Sequence, residues 1–81
     1  MTVKVRLFAG LRGLVGDRDI ELTLPAGATV ATLREQIGRE YPVLEPFLGT
    51  LACAVAEEVQ PPDHPLADGD LVDIIPPIAG G

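Results

Sequence analysis

Two prolines and two glycines close an apolar run, and they restrict this chain more than any other stretch: Ile74-Ile75-Pro76-Pro77-Ile78-Ala79-Gly80-Gly81. Pro76 and Pro77 lack N–H donors and have fixed φ, so they cannot continue a central strand, and Ile75 is pushed towards an extended conformation. A sheet that runs into this stretch therefore ends near Ile75, and the chain leaves it as a stiff, polyproline-like stem. Gly80 and Gly81 lack Cβ atoms and can enter slots closed to other residues. Six extended residues reach at most roughly 20 Å, far enough to enter another protein's cleft while the folded part stays outside. A frayed end is usually polar, whereas Ile74, Ile75 and Ile78 flank a double proline here. The expectation is a folded domain over residues 1–75 and a presented tail over residues 76–81.

Upstream of the tail the pattern is that of one small α+β domain. Residues 2–9 read T-V-K-V-R-L-F-A. Val3, Val5 and Leu7 share one face, and Lys4, Arg6 and Phe8 share the other, which makes a strand with Phe8 as a candidate exposed aromatic. Glycines at 10, 13 and 16 mark a connection with room for one helical turn. Residues 18–24 alternate again, with Ile20, Leu22 and Leu24 facing in, and pair with the first strand as an antiparallel hairpin. Thr29 is an N-cap for a helix of about three turns carrying Val30, Leu33, Ile37 and Tyr41. With no Glu or Gln three residues on, no capping box is expected. Gly38 weakens this helix and Pro42 stops it. Residues 44–48 form a loop that offers Leu44, Phe47 and Leu48 to the core.

Residues 50–56 are a third strand, with Leu51, Cys53 and Val55 on one face and Ala52 and Ala54 on a smooth opposite one. Residues 57–62 are a polar turn and an irregular stretch. Asp63-His64-Pro65 and Asp68-Gly69-Asp70 are turn chemistry. Residues 71–75 are the last strand, with Val72 and Ile74 facing in and Leu71, Asp73 and Ile75 facing out. Placing it beside the first strand gives a mixed sheet of four to five strands packed on one main helix.

Composition excludes several classes. Eighty-one residues make a single domain. One cysteine leaves no internal disulfide framework and no multi-cysteine zinc site. Cys53, among apolar neighbours in a strand, reads as a buried core thiol. His64 has no second ligand at metal spacing and reads as a turn residue capped by Asp63. Asp63, Asp68, Asp70 and Asp73 do not match a calcium loop and read as turns plus a solvated edge, so no metal site is expected. Twelve acidic residues against six basic ones give a net charge of −6. That disfavours nucleic acid and anionic membranes and permits a partner with a basic docking surface. The polar residues near Met1 break any signal-peptide core and no run is long enough to span a bilayer. The expected location is the cytoplasm.

Several pieces together carry a resemblance: V-K-V-R-L-F-A followed by L-R-G-L-V-G, A-T-V-A-T-L-R at the helix start, D-H-P-L-A-D-G-D before the last strand, and I-P-P-I-A-G-G at the end. Over essentially its whole length the chain resembles the β-grasp, ubiquitin-like sulfur carriers (MoaD/ThiS-like), and its early and D-H-P-L pieces look most like the small subunit of molybdopterin synthase. It departs from that pattern at Ala56, where the resembled subunit has an asparagine, and Glu57 and Glu58 are more acidic.

The resemblance implies a β-grasp fold and a carrier with no catalytic site of its own. An E1-like enzyme adenylates the Gly81 carboxylate with ATP. A sulfur donor converts the adenylate to a thiocarboxylate, and the molybdopterin synthase large subunit passes that sulfur to a pterin precursor. The chain itself binds no cofactor. The tail residues Ile78, Ala79 and Gly80 deliver Gly81, and Phe8, Val59, Ile75, Pro76 and Pro77 dock the partners, with Ile78 completing the apolar patch. Sulfur delivery to another acceptor (thiazole, tRNA or cysteine synthesis), conjugation to lysines as a ubiquitin-like modifier, and a plain interaction module stand as alternatives.

Overall fold

The computed structural model describes residues 1–8, 11–16 and 19–76, with Arg12 described by its backbone alone. Pro77, Ile78, Ala79, Gly80 and Gly81 lie outside the described residues.

Strand β1 (Thr2–Leu7) is followed by a single helical turn, α1 (Leu11–Leu14), and then by β2 (Ile20–Thr23). Helix α2 (Val30–Glu40) and a 3-10 helix (Pro42–Thr50) come next, then β3 (Ala52–Val55), β4 (Glu58–Val59) and β5 (Leu71–Ile75). The five strands form one sheet in the order β2-β1-β5-β3-β4. The central pair, β1 and β5, is parallel, with Arg6 opposite Asp73 and Leu7 opposite Ile74. The β1–β2, β3–β5 and β3–β4 pairs are antiparallel. This is the mixed β-grasp sheet expected, with the last strand beside the first.

Alternation along each strand sets which face is buried. Val3, Val5 and Leu7 of β1, Ile20 and Leu22 of β2, Cys53 and Val55 of β3, and Val72 and Ile74 of β5 line one core with Val30, Leu33 and Ile37 of α2. Leu24 and Leu51 extend it, and Tyr41 and Leu48 pack against its edge. Among the described residues no helix is long and apolar enough to cross a membrane.

Helix α2 begins with a capping box after all. The Thr29 Oγ1 accepts the Thr32 N–H at 3.4 Å, and the Thr32 Oγ1 accepts the Thr29 N–H at 3.1 Å. A threonine hydroxyl does here what a Glu or Gln carboxylate or amide does elsewhere, so the absence of Glu or Gln was not decisive. The first two helical N–H groups also find partners. Val30 donates to the His64 carbonyl at 3.0 Å and Ala31 to the Pro62 carbonyl at 2.9 Å. Segment 61–66 thus seals the helix start, and His64 contributes its backbone while the Pro61 carbonyl closes its turn.

Gly38 is more than a weak helix former. It is buried, and a Cβ there would meet Leu48 Cδ1 at 2.9 Å, so its bareness lets the 3-10 helix lie close against α2. Arg34 then ties the two together, donating to the Leu51 carbonyl at 2.8 Å. Residues 44–48 belong to this 3-10 helix rather than to a loop. Leu44 is buried and Leu48 half-buried, but Phe47 is 43% exposed, contrary to its expected core role. Leu44 and Leu48, four apart, take the inward positions and leave Phe47 outside.

The fifth strand, β4, falls where a polar turn and an irregular stretch were expected. It exists because Ala56 (φ 52°) and Glu57 (φ 69°) make a two-residue hairpin turn that returns the chain along β3. Both central residues at positive φ match the primed turn whose twist suits a hairpin. Alanine pays a steric penalty in this region that glycine avoids. Ala56→Gly is expected to raise the unfolding free energy by about 0.5–1 kcal/mol, read from urea denaturation.

Candidate functional site: the outer face of the sheet

The sheet face turned away from α2 collects the outward residues of four strands. In β1 these are Lys4 and Arg6, with Phe8 directly after the strand; Phe8 N–H donates to the Ile74 carbonyl at 3.2 Å, which keeps it in the ladder. In β5 they are Leu71, Asp73 and Ile75, and in β3 Ala52 and Ala54. Registration turns them into rows. Arg6 lies opposite Asp73, Asp73 opposite Ala54, and Ala54 opposite Val59 of β4. The next row places Ile75 opposite Ala52, with Phe8 beyond Arg6 at the same end of the sheet.

Of the residues expected to dock partners, the structure therefore brings Phe8, Val59 and Ile75 to one face. Phe8 is 41% and Val59 66% exposed, while Ile75 is half-buried. Pro76 follows Ile75 directly and is half-buried; strand pairing ends before it, as the prolines require. The docking residues Pro77 and Ile78 and the tail residues Ala79, Gly80 and Gly81 lie outside the described residues.

Asp73 is the main correction on this face. It was expected on a solvated edge, but it is buried on the central strand. Its carboxylate takes the Arg6 Nε–H at 2.8 Å and the Arg6 Nη2–H at 3.1 Å, a fork pairing. The hydrogen bond that Arg6 donates to Asp73, and then the Asp73 charge, push the Arg6 guanidinium above its ordinary value; burial opposes this, and Asp19 and Glu57 add to it. The guanidinium carbon also stands 5.6 Å from the centre of the Phe8 ring. Phe8, Arg6 and Asp73 thus form one connected surface. The other two aspartates of the group that lie near the β5 start behave as turn chemistry: Asp68 Oδ1 accepts the Thr2 N–H at 2.7 Å and Asp70 Oδ2 the Ala67 N–H at 2.8 Å.

Other features offer less. Cys53 is buried in the core. The start of α2 has its first N–H groups occupied by the 61–66 segment and the Thr29–Thr32 box. A groove between α2 and the 3-10 helix is lined by Arg34, Glu35, Gly38, Arg39, Glu45 and Leu48. It is open and mixed in charge, and its Arg34 is already committed to the Leu48 and Leu51 carbonyls. Among the described residues no three acidic, His or Cys side chains converge as a metal site.

The sequence pattern of the ThiS family matches residues 5–81, which includes the whole tail. The chain belongs to the ThiS family. A molybdopterin synthase sulfur carrier subunit from Chlamydomonas reinhardtii is 39% identical over 83 residues, covering all of this chain and all of that one. Among solved structures, a putative molybdopterin converting factor subunit 1 from Pyrococcus furiosus superposes with a TM-score of 0.85 at 32% identity, covering 95% of this chain and 98% of that one. The complex of subunits 1 and 2 of the molybdopterin-converting factor from Helicobacter pylori contains a chain that matches with a TM-score of 0.73 at 27% identity over the full length of both. The ThiS-family chain shares the β-grasp fold with these solved structures.

Proposed function

We propose that this ThiS-family chain is a sulfur carrier that serves as the small subunit of a molybdopterin synthase, with the Gly81 carboxylate as its reactive group. The full-length likeness to a relative named for that role carries the reading. The family match running through Gly81 supports the tail as the working end. The Helicobacter pylori complex of subunits 1 and 2 supports a second subunit as the partner.

The chemistry follows from what a glycine carboxylate lacks. A free carboxylate is a poor acyl donor. In an E1-like enzyme, the Gly81 carboxylate oxygen attacks the α-phosphate of ATP, pyrophosphate leaves, and an acyl-adenylate forms. The outer sulfur of a donor enzyme's persulfide then attacks the acyl carbon and AMP departs with the electron pair; a thiol next attacks the donor's sulfur in the resulting acyl disulfide, forming a disulfide with it and releasing the thiocarboxylate. That thiocarboxylate enters the large subunit and supplies sulfur to a pterin precursor. With no Cβ at Gly80 or Gly81, nothing crowds the line of attack at the carbonyl carbon. The bases, metals and nucleotide site belong to the partners, so this chain acts by presentation, and the outer face addresses it to them.

The test is transfer. Thiocarboxylated chain mixed with the large subunit of the same organism is expected to convert the pterin precursor to a dithiolene product, and the carboxylate form to give none. No conversion by the thiocarboxylated chain, with the subunits bound to each other, overturns this acceptor. Cys53 takes no part: Cys53→Ala is expected to leave sulfur loading unchanged while lowering stability by about 1 kcal/mol from the small cavity, followed by intact mass and thermal unfolding.

A further inference from the structure

We infer that Arg6 and Asp73 work as one neutral unit in the middle of the outer face, so that this face receives a protein surface with an apolar, aromatic-bearing centre and Lys or Arg at its rim. The inference rests on the reading of that face as the side a sulfur carrier offers its partner, and specifies what the partner must look like.

Three observations converge. First, the pair is built into the sheet. Asp73 sits on the central strand with its side chain 12% exposed, both oxygens taken by Arg6, and Ala54 on its other flank. Second, the Arg6 side chain is 41% exposed and lies beside the Phe8 ring. Its flat guanidinium therefore extends the aromatic surface, with its charge answered by Asp73. Guanidinium is weakly hydrated and stacks on rings, so it can be covered by an apolar partner where an ammonium resists. Third, the acidic Glu57 stands at the hairpin turn beside this face. It is exposed, and its field and that of Asp19 reach Arg6. With a net charge of −6 on the chain, the complementary rim is basic.

The physical consequence concerns desolvation. Docking finishes the burial of Asp73. With Arg6 in place the carboxylate stays paired; without it, the partner must cover an uncompensated charge, which is far costlier than covering either a pair or two apolar side chains. Charge pairing, rather than either residue alone, is therefore what the face must keep.

The test is a double-mutant cycle on binding to the molybdopterin synthase large subunit of the same organism, by calorimetry, with circular dichroism and thermal unfolding on each variant. Arg6→Met is expected to weaken binding on the order of tenfold or more. Arg6→Met/Asp73→Leu is expected to return to within about threefold of wild type, because nothing charged is then left to bury. Arg6→Lys, which keeps the charge but brings a strongly hydrated ammonium, is expected to bind more weakly than wild type and better than Arg6→Met, and the double variant compared with wild type carries the test should Arg6→Met fail to fold. Two results overturn the inference: a double variant weaker than wild type by about tenfold or more, or Arg6→Lys binding no better than Arg6→Met, either of which makes the Arg6 guanidinium a direct contact to the partner. Glu57→Gln is expected to slow association at low salt and flatten its salt dependence; an unchanged salt dependence overturns the basic rim. If wild type itself does not bind the large subunit, the carrier assignment fails first, and this result is distinct from normal wild-type binding that the variants leave untouched.

Discussion

Deleting Gly81 is expected to remove all sulfur loading while leaving the fold as it was. The deletion moves the terminal carboxylate back by one residue, and positioning for in-line attack fails: misplacement by even about 1 Å can cost on the order of a hundredfold in rate. Every described core residue lies at or before Ile74, and strand pairing ends at Ile75. Stability is therefore expected to shift by no more than about 0.5 kcal/mol. Incubation with the activating enzyme, ATP and a sulfur donor, followed by intact mass, reads the first part; thermal unfolding reads the second. A deletion variant that unfolds shows that the tail is structural and contradicts the presentation account.

Leu33→Ala is expected to act in the opposite way, weakening the scaffold while leaving the tail residues themselves intact. Leu33 is wholly buried at the centre of the α2 face, among Val5, Leu22 and Ile74 of the same cluster. Truncation removes transfer free energy and leaves a cavity, a loss of about 2–5 kcal/mol. Small domains hold roughly 5–15 kcal/mol at most, and those of this size sit towards the lower end. The variant is expected to show a large drop in urea midpoint and a considerable unfolded fraction near physiological temperature. Sulfur loading should fall in proportion to the folded fraction, since docking needs the sheet. A variant with unchanged midpoint would mean α2 is not the lid of the core.

Strand parity made much of this molecule legible. Val3-Val5-Leu7, Ile20-Leu22-Leu24 and Val72-Ile74 are buried as their alternation requires, and Thr29 caps the helix that Val30, Leu33 and Ile37 define. The outward positions of Phe8 and Ile75 followed from the same parity. What parity cannot supply is register. Arg6 and Asp73 both read as outward, but only the parallel β1–β5 alignment places one opposite the other and turns an expected solvent-facing aspartate into a buried partner. Strand β4 escaped notice because neither Ala56 nor Glu57 is a usual primed-turn residue, so the hairpin signal was missing where the hairpin is. The Thr32 cap was missed for a similar reason: the rule looked for a carboxylate or amide, while a hydroxyl one turn in suffices. Gly38 read as a helix weakness because its benefit, contact with Leu48, is tertiary.

Intact-protein mass spectrometry of the chain isolated from its native cells tests the central claim most directly. The account predicts a population heavier by one oxygen-for-sulfur exchange, with fragmentation placing the sulfur on Gly81. Sulfur found on Cys53, or the chain found joined to lysines of other proteins with no thiocarboxylate form present, would contradict it.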